Sequence, residues 1–166
     1  MIRMSVSYLF PPEDGADELL VVPAPAEAKP KRNTKAVGDV SEAMVIAALV
    51  SRGYLVSIPF GENHRYDLIA DDGERLLRIQ VKTGRARGGV IQFRCCSSHQ
   101  HRRSGPTATL PYFGQVEFLA VFCPETGKVY LVPESELVKT GSHLRIAPTL
   151  NRQARKIRWA AEYELA

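Results

Sequence analysis

The segment YDLIADDGERLLRIQVKTG (residues 66–84) contains two alternating stretches on either side of a short polar sequence. Successive side chains of a β-strand point to opposite faces, so the second stretch has one apolar face. That face carries Leu77, Ile79 and Val81. The opposite face carries Leu76, Arg78, Gln80 and Lys82. Because the intervening DDGE sequence favours a tight turn, the segment predicts an antiparallel hairpin with Gln80 and Lys82 as neighbours.

A carboxylate on the first strand of this hairpin falls in the same neighbourhood. With a period of two, Asp67 and Ile69 lie on one face of this strand, and Tyr66, Leu68 and Ala70 lie on the other. Antiparallel pairing across the turn can then bring Asp67 beside Gln80 and Lys82. The hairpin therefore predicts a small polar cluster composed of an acid, an amide and an amine.

These groups suit the hydrolysis of phosphodiesters. Such a reaction needs a divalent cation to stabilise charge on the attacked phosphate, and a deprotonated water as nucleophile. The Asp67 carboxylate, the Gln80 side-chain carbonyl and the Val81 backbone carbonyl are hard oxygen ligands, which Mg²⁺ prefers, and Mn²⁺ is a plausible substitute. Lys82 would orient and activate the water or neutralise the developing charge.

A helix is predicted before the hairpin. Asn33 or Thr34 is suitable as its N-cap, and Gly53 as its C-terminal stop. Apolar residues recur between them at helical spacing: Val37, Val40, Met44, Ala47 and Ala48. Glu42 lies at i+3, i+4 and i+7 spacing from Val45, Ile46 and Leu49, so its carboxylate is expected on an apolar side of this helix.

The remaining chain alternates short apolar segments with turns. The segments predicted as strands are residues 54–58, 66–70, 75–82, 90–95, 117–122 and 129–132. PESEL (residues 133–137) indicates a short helix, and residues 151–165 are a helical candidate with a weak stripe of Ala154, Ile157, Ala161 and Leu165. Together these elements predict one α/β domain built around a mixed β-sheet.

The hairpin segment resembles the central hairpin of the PD-(D/E)xK nuclease superfamily. Two further stretches are similar to that family: GDVSEAMVIAALVSRGYLVSIPFGENHRYDL (residues 38–68) and YFGQVEFLAVFCPETGKVYLVPESEL (residues 112–137). The resemblance implies a restriction-endonuclease-like core, a mixed sheet flanked by helices. It also implies a metal-dependent DNA endonuclease whose site combines Glu42, Asp67, Gln80 and Lys82, with Glu42 as a further metal ligand.

The sequence departs from the family pattern at two positions. Tyr66 replaces the proline of the family name, and Gln80 stands where an acid is commoner. The QxK variant resembles a branch that includes an intron-encoded homing endonuclease and its bacterial relatives. Gln80 also keeps open a nuclease-fold module that binds DNA without cutting it. In the plainest alternative, Asp67 belongs to a turn, Lys82 ends a strand and Glu42 is an ordinary exposed acid.

Charge and composition agree with a DNA-binding protein. Lys and Arg total 22 against 18 Asp and Glu, and the basic residues are clustered. From these clusters we expect DNA contacts by Lys35, Arg85, Arg87, Arg102 and Arg103. No apolar stretch approaches the roughly 18 residues of a membrane span and no secretory signal is visible, which favours a cytoplasmic protein. Double-strand cleavage would favour a homo-oligomer, a dimer or a tetramer.

The N-terminal segment and a few local patterns remain less defined. Residues 1–32 contain five of the eleven prolines and are expected to form a flexible extension, in which residues 19–22 could add a strand, before a nuclease-like domain of residues 33–166. CCSSHQH (residues 95–101) could bind zinc, but a strand terminus before a polar loop is favoured. Asn63, His64 and Arg65 could position substrate or form a turn. Trp159 is expected to pack, and Tyr112 to lie near the site.

Overall fold

The computed structural model describes residues 33–61, 64–99, 108–149 and 155–165. The extension assigned to residues 1–32, with its possible strand at residues 19–22, lies outside the described residues. So do Asn63 and the polar loop that carries Arg102 and Arg103. In the described part of the chain, no helix is long and apolar enough to cross a membrane.

The helix predicted near the start of the domain is present as α1, Thr34–Val50. Asn33 is its N-cap, and the Asn33 side chain accepts a hydrogen bond from the Ala36 N–H at 3.2 Å. Gly53, just past the helix, has a φ of 85°, a left-handed conformation that glycine adopts without steric cost. Both predicted ends of the helix are therefore confirmed.

The predicted apolar stripe of α1 is wrong in part. Val40 is 57% exposed and Met44 is 41% exposed, whereas the residues buried against the sheet are Ser41, Val45 and Leu49. Spacing alone could not choose between these two stripes, because both recur at helical intervals. The second stripe is the buried one, and it places Ser41 in a hydrogen bond with Thr83 of the sheet.

Ten strands follow the helix in the described residues. In chain order they are β1 Leu55–Ser57, β2 Leu68–Asp71, β3 Leu76–Thr83, β4 Arg85–Arg87, β5 Val90–Arg94, β6 Cys96–His99, β7 Ala108–Pro111, β8 Phe118–Cys123, β9 Lys128–Pro133 and β10 Gly141–Arg145. The six predicted strands correspond to β1, β2, β3, β5, β8 and β9. Their ends differ from the predicted ends by at most two residues. The PESEL segment forms a short 3-10 helix, Glu134–Glu136.

Five of these strands form the main sheet, in the order β1-β2-β3-β8-β9. β3 and β8 are parallel, and the other neighbouring pairs are antiparallel. The predicted mixed sheet is therefore confirmed. One face packs against α1 through Leu68, Leu77, Ile79, Val81 and Phe122, among others. The opposite face packs against a second core that includes Leu119, Val121 and Tyr130.

Two smaller sheets complete the described fold. β10, β5 and β4 form an antiparallel three-stranded sheet in that order, and β6 pairs with β7 as a two-stranded ribbon. The three-stranded sheet contributes Ile91, Phe93 and Leu144 to the second core. Because side chains alternate along a strand, its other face points to solvent.

The helix predicted over residues 151–165 is wrong for the described residues 155–165. Trp159 forms an isolated parallel bridge with Arg145, and Glu164 forms an antiparallel bridge with Tyr130. Only Ala160–Glu162 is helical, as a 3-10 turn. The extended backbone lies along two strand edges and satisfies their hydrogen-bonding groups, a tertiary contact that outweighs a weak helical stripe.

Candidate active site

The β2–β3 hairpin brings the predicted acid and amide together. Leu68 pairs with Ile79, which sets Asp67 opposite Gln80, and the Asp67 N–H donates to the Ile79 carbonyl at 2.9 Å. The Oδ2 atom of Asp67 accepts hydrogen bonds from the Val81 N–H at 2.7 Å and from the Gln80 Nε2. These three residues therefore form one hydrogen-bonded cluster at the end of β3 nearest α1.

Gln80 is a buried polar residue in this cluster. Only 6% of its surface is exposed, and its Nε2 also lies 3.4 Å from the Val81 carbonyl. Burial of an amide is costly unless the amide is hydrogen-bonded, and here Asp67 supplies the main acceptor. A rotation of the terminal amide by about 180° would exchange its nitrogen and oxygen, and it would turn a carbonyl towards the same space.

Helix α1 carries Glu42 to the same region. The Ser41 Oγ lies 2.6 Å from the Thr83 Oγ1, and it donates to the Val37 carbonyl at 3.0 Å. This contact fixes the first half of the helix to the end of β3. Glu42 and Asp67 then line one cavity of about 310 Å³, together with Ile58, Pro59, Gly61, His64 and Tyr66.

The Glu42 carboxyl is influenced by its surroundings. Burial raises its pKa above the ordinary value, and the negative charges of Asp67 and Asp39 raise it further, whereas the positive charge of Lys82 lowers it. A cation bound in this cavity would offset the negative charges that surround the Glu42 carboxyl. The site therefore has the electrostatic character of a cation site.

Lys82 projects towards an aromatic ring. Its Nζ lies 5.0 Å from the ring centroid of Tyr112, which is 2% exposed. The guanidinium carbon of Arg65 also lies over this ring, at 4.6 Å from the centroid. Both distances fall within the range of cation–π attraction, so the buried ring restrains the two cations. The sequence expectation placed Tyr112 near the site, and the structure gives it this contact.

Residues 32–166 match the family model described as PD-(D/E)XK endonuclease. The chain belongs to this family. The solved structure of a bacterial homing endonuclease, I-Ssp6803I, is similar to this chain with 27% sequence identity and a TM-score of 0.65. The similarity covers 80% of this chain and 89% of that chain. No curated protein sequence matches the chain.

The family match explains the mixed sheet as the core of a restriction-endonuclease-like fold. It confirms the resemblance carried by the β2–β3 hairpin and by the sequences on both sides of it. The chain is thus an endonuclease-family protein whose hairpin has glutamine, rather than an acid, at position 80.

The donor set of this endonuclease fits a hard cation. It contains the carboxylates of Glu42 and Asp67, the amide of Gln80 and the carbonyl of Val81, all oxygen donors of the kind Mg²⁺ binds. Within the described ranges, no group of three or more His, Cys, Asp or Glu side chains forms a metal-binding cluster. A site in this family member would therefore rely on the amide and backbone oxygens beside its two acids.

The zinc alternative finds no support among the described residues. Cys95 and Cys96 are buried free thiols, and burial raises the pKa of the Cys95 thiol. Cys95 packs instead in the second core, and the Cys96 Sγ contacts the Thr140 carbonyl at 3.5 Å. Residues 100 and 101 of the motif lie outside the described part.

The side chain of Arg65 is held by several hydrogen bonds, which the sequence did not indicate. Its guanidinium donates to the Ser97 Oγ at 2.7 Å, to the Pro111 carbonyl at 2.8 Å and to the Leu110 carbonyl at 3.2 Å, and it also binds the Gln115 side chain. These contacts tie the start of β2 to the β6–β7 ribbon. Its neighbour His64 lines the cavity, and the His64 Nε2 lies 2.7 Å from the Phe60 carbonyl.

The described residues that are expected to contact DNA lie on two different elements. Lys35 is exposed in the first turn of α1, whereas Arg85 and Arg87 lie on β4, directly after the strand that carries Lys82. Arg85 forms an ion pair with Glu125 at 3.7 Å. Trp159, expected to pack, is half-buried beside β10.

Proposed function

We propose that this PD-(D/E)XK endonuclease hydrolyses phosphodiester bonds of DNA with Mg²⁺, for which Mn²⁺ can substitute. The proposal is carried by one observation: Asp67, which is hydrogen-bonded to Gln80 and Val81, lines the same cavity as Glu42. Family membership supports the reaction class. The oxygen donors and the nearby lysine support the metal and the nucleophile.

Each residue of the cluster has a distinct role. Both hydrogen bonds of the Asp67 carboxylate end on Oδ2, and Oδ1 accepts none from the described residues, so Oδ1 is available to a cation. The rotated Gln80 carbonyl, the Val81 carbonyl and Glu42 supply further oxygens. When bound, the cation stabilises negative charge on the attacked phosphate and lowers the pKa of a coordinated water.

Lys82 acts on the nucleophilic water and on the charge that develops at the phosphate. The Tyr112 ring restrains its ammonium group, which reduces the entropy lost when the lysine meets the substrate. The positive charge of Lys82 also favours the ionised form of Glu42. Lys82 thus helps to keep the acid of the cation site charged.

Cleavage of several DNA forms tests the proposed function. Supercoiled, linear, single-stranded and branched DNA would be incubated with the protein in Mg²⁺, in Mn²⁺ or in EDTA. We expect cleavage with either cation and none in EDTA. Asp67→Asn keeps the side-chain shape and should abolish cleavage, whereas Asp71→Asn, in the same hairpin, is the matched control and should cut normally. Equal cutting by wild type and Asp67→Asn would reject the site.

A second candidate function is a DNA-binding module without nuclease activity. It is favoured by Gln80, whose amide satisfies Asp67 without any cation and removes one negative charge from the cluster. Under this alternative, wild type cuts none of the four DNA forms in Mg²⁺ or Mn²⁺. Cleavage created by Gln80→Glu in an otherwise inactive protein would select the module.

We also propose the assembly and location of the protein. Each chain carries one cluster, so a symmetric pair, or a tetramer made of two pairs, is the simplest route to a double-strand cut. A monomer in sedimentation at micromolar concentration that makes concerted double-strand breaks would contradict this. We propose a cytoplasmic protein whose nuclease domain is residues 33–166, with residues 1–32 as an extension; the family match beginning at residue 32 supports that boundary.

A further inference from the structure

The solvent side of the three-stranded sheet, here called the outer face, carries polar side chains on all three strands. Arg85 pairs with Gln92, and Gln92 pairs with His143, so these three residues form one row across the sheet. A second row contains Arg87, Val90 and Arg145, and a third contains Arg94 beside Gly141. The residues between these positions, such as Ile91 and Phe93, point into the core.

The outer face is strongly basic. Its rows contain four arginines and one histidine, and no acidic residue occupies any of their positions. The excess of basic over acidic residues in the whole chain is also four, so the outer face concentrates as much positive charge as the entire molecule carries in excess. Of its arginines, Arg85 has an ion pair, with Glu125 at 3.7 Å. Such a field attracts a polyanion.

The polar side chains of the outer face have few partners among the described residues. Arg87, Gln92 and Arg94 make no side-chain hydrogen bond or ion pair with any described residue. Arg158, by contrast, donates to the Glu136 carbonyl at 3.0 Å and to the His143 carbonyl at 3.2 Å, and it also binds the Ser142 side chain. Arg158 thus holds the sheet together, whereas Arg87 and Arg94 are exposed and have no partner among the described residues.

The shape of the outer face fits the major groove of duplex DNA. The axes of two neighbouring strands lie about 4.8 Å apart, and the major groove of B-DNA, about 12 Å wide, admits a two-stranded ribbon, so two of the three strands can enter it together. A concavity of about 500 Å³ lies over Thr83, Arg85, Gln92, Arg94, Gly141 and His143. Gly141 has no side chain, which leaves room for base edges to approach Gln92 and Arg94 on the next strand.

The outer face is also continuous with the proposed catalytic strand. Thr83, which lines the concavity, directly follows Lys82, and Gly84 alone separates β3 from β4. A Cβ at Gly84 would meet side-chain atoms of Ile91 and Val121 at 2.7 and 2.8 Å, so the connection packs tightly against the second core. A duplex seated on the outer face would therefore lie beside the end of β3, the strand that carries Lys82.

We propose that the outer face docks into the major groove of duplex DNA, where Gln92 and Arg94 contact base edges and Arg87 and Arg145 contact phosphates. Arginine pairs in two hydrogen bonds with guanine, and glutamine with adenine, which makes these two side chains suitable for reading sequence. Antiparallel sheets are known to enter this groove. The inference rests on the proposed function for its choice of DNA as the partner, and it adds how the duplex is recognised.

Selection from a duplex library with a randomised segment tests the inference. Wild type would be used in EDTA, so that binding is measured without cleavage, and enriched sequences would be determined. We expect one preferred sequence. Arg94→Ala and Gln92→Ala should each lower the affinity for it by about tenfold or more, with little change for an unselected duplex. Arg75→Ala is the matched control, because the Arg75 side chain is 70% exposed and lies at the β2–β3 turn.

A change in the DNA gives a second measurement that leaves the protein intact. Replacing guanine by 7-deazaguanine removes an acceptor in the major groove. At one or two positions of the selected duplex this replacement should weaken the binding of wild type. It should not weaken the binding of Arg94→Ala at any position. Duplex RNA of the same sequence should compete poorly, because its major groove is too narrow. Equal competition by RNA, absence of a preferred sequence, or unchanged affinity of both alanine variants would overturn the inference.

These outcomes separate the inference from the proposed function. If wild type cuts DNA with Mg²⁺ but the alanine variants bind and select as wild type does, the inference fails and the proposed function stands. If wild type selects a sequence through Gln92 and Arg94 but never cuts, the inference stands and the nuclease proposal fails.

Discussion

The two larger sheets of this endonuclease carry polar residues in different ways. On the five-stranded sheet, Asp67 and Gln80 bind each other, and Arg78 binds Glu117 through its side chain at 2.6 Å. On the three-stranded sheet, Arg87, Gln92 and Arg94 project into solvent and bind no side chain of the described protein. These groups of the five-stranded sheet are satisfied within the protein, whereas Arg87, Gln92 and Arg94 are exposed to solvent.

This difference separates two kinds of expected defect. A change on the five-stranded sheet breaks contacts that position groups for chemistry or support the fold, so cleavage or stability should fall. A change on the outer face removes a group that supports neither the fold nor the chemistry, so only DNA binding should fall. The predictions below test this separation in order of decreasing effect.

Lys82→Ala should produce the largest loss among these variants. It removes the charge proposed to act at the reacting phosphate, and loss of one such group costs about 10²- to 10³-fold in rate. DNA affinity in EDTA should change little, because one cation among many is removed. Single-turnover cleavage and filter binding would measure the two effects. Lys128→Ala, on the distant strand β9, is the control and should cut normally; equal rates for both variants would remove Lys82 from the chemistry.

Arg65→Ala should reduce stability although it too replaces an arginine. Its guanidinium joins Ser97, Leu110 and Pro111 and lies over the Tyr112 ring. Loss of these contacts should lower the free energy of unfolding by about 2–3 kcal/mol. The exposed Arg75→Ala is the control, with an expected change within about 0.5 kcal/mol. Urea unfolding measures both, and equal stabilities would show that the ribbon is held by other contacts.

Gln80→Glu should change stability in a metal-dependent manner. Without a cation, a second carboxylate beside Asp67 replaces a hydrogen bond with repulsion, so the free energy of unfolding should fall by about 1–2 kcal/mol. Mg²⁺ should restore more stability to this variant than to wild type, because a ligand that binds the folded state stabilises it. Thermal unfolding of both proteins in Mg²⁺ and in EDTA would measure this difference in stabilisation. An identical response of the two proteins to Mg²⁺ would argue against a cation beside residue 80.

Glu117→Gln should have a smaller, pH-dependent effect. The Arg78 hydrogen bonds hold the pKa of the Glu117 carboxyl below its ordinary value of 4.5. A depressed pKa adds stability above the ordinary value, and this stability is lost as the pH falls through the lower folded value. Since the Glu117 side chain is 35% exposed, solvent screening limits the effect to about 0.5–1 kcal/mol at pH 7. The wild-type advantage in urea unfolding should shrink by pH 3; an advantage independent of pH would exclude the ion pair as its source.

The sequence predicted those parts of this molecule that depend on local pattern. The helix ends at Asn33 and Gly53 follow from capping chemistry, and the hairpin that joins Asp67 to Gln80 follows from alternation around a turn. The buried stripe of α1 was misassigned, because Ser41 is polar and is buried only through its contact with Thr83. The end of the chain was misassigned since its extended form depends on strand edges that are distant in sequence.

The outer face shows a further limit of sequence reasoning. Arg85 and Arg87 were recognised as a basic cluster, but Gln92, Arg94 and His143 join them only through strand pairing. Likewise, nothing local distinguishes Arg65, which is held internally, from Arg87, which is not. Contacts between segments distant in sequence determine whether an arginine is bound within the protein or exposed. Local sequence does not indicate which segments come into contact.

Arg87→Ala should therefore produce the smallest effect, and one that depends on salt. A phosphate contact releases condensed counterions, so each contact contributes about 0.9 to the slope of log affinity against log salt on duplex DNA. Wild type should show a steep slope from several such contacts, and Arg87→Ala should reduce it by about one contact, with equal weakening for selected and unselected duplexes. Arg94→Ala should instead affect mainly the affinity for the selected duplex.

Filter binding across a salt series measures both slopes. The free energy of unfolding of both variants should match that of wild type, because neither side chain has a partner among the described residues. A slope unchanged by Arg87→Ala would show that this arginine does not reach the DNA backbone, and a loss of stability would show that the outer face, like the five-stranded sheet, is bound from within.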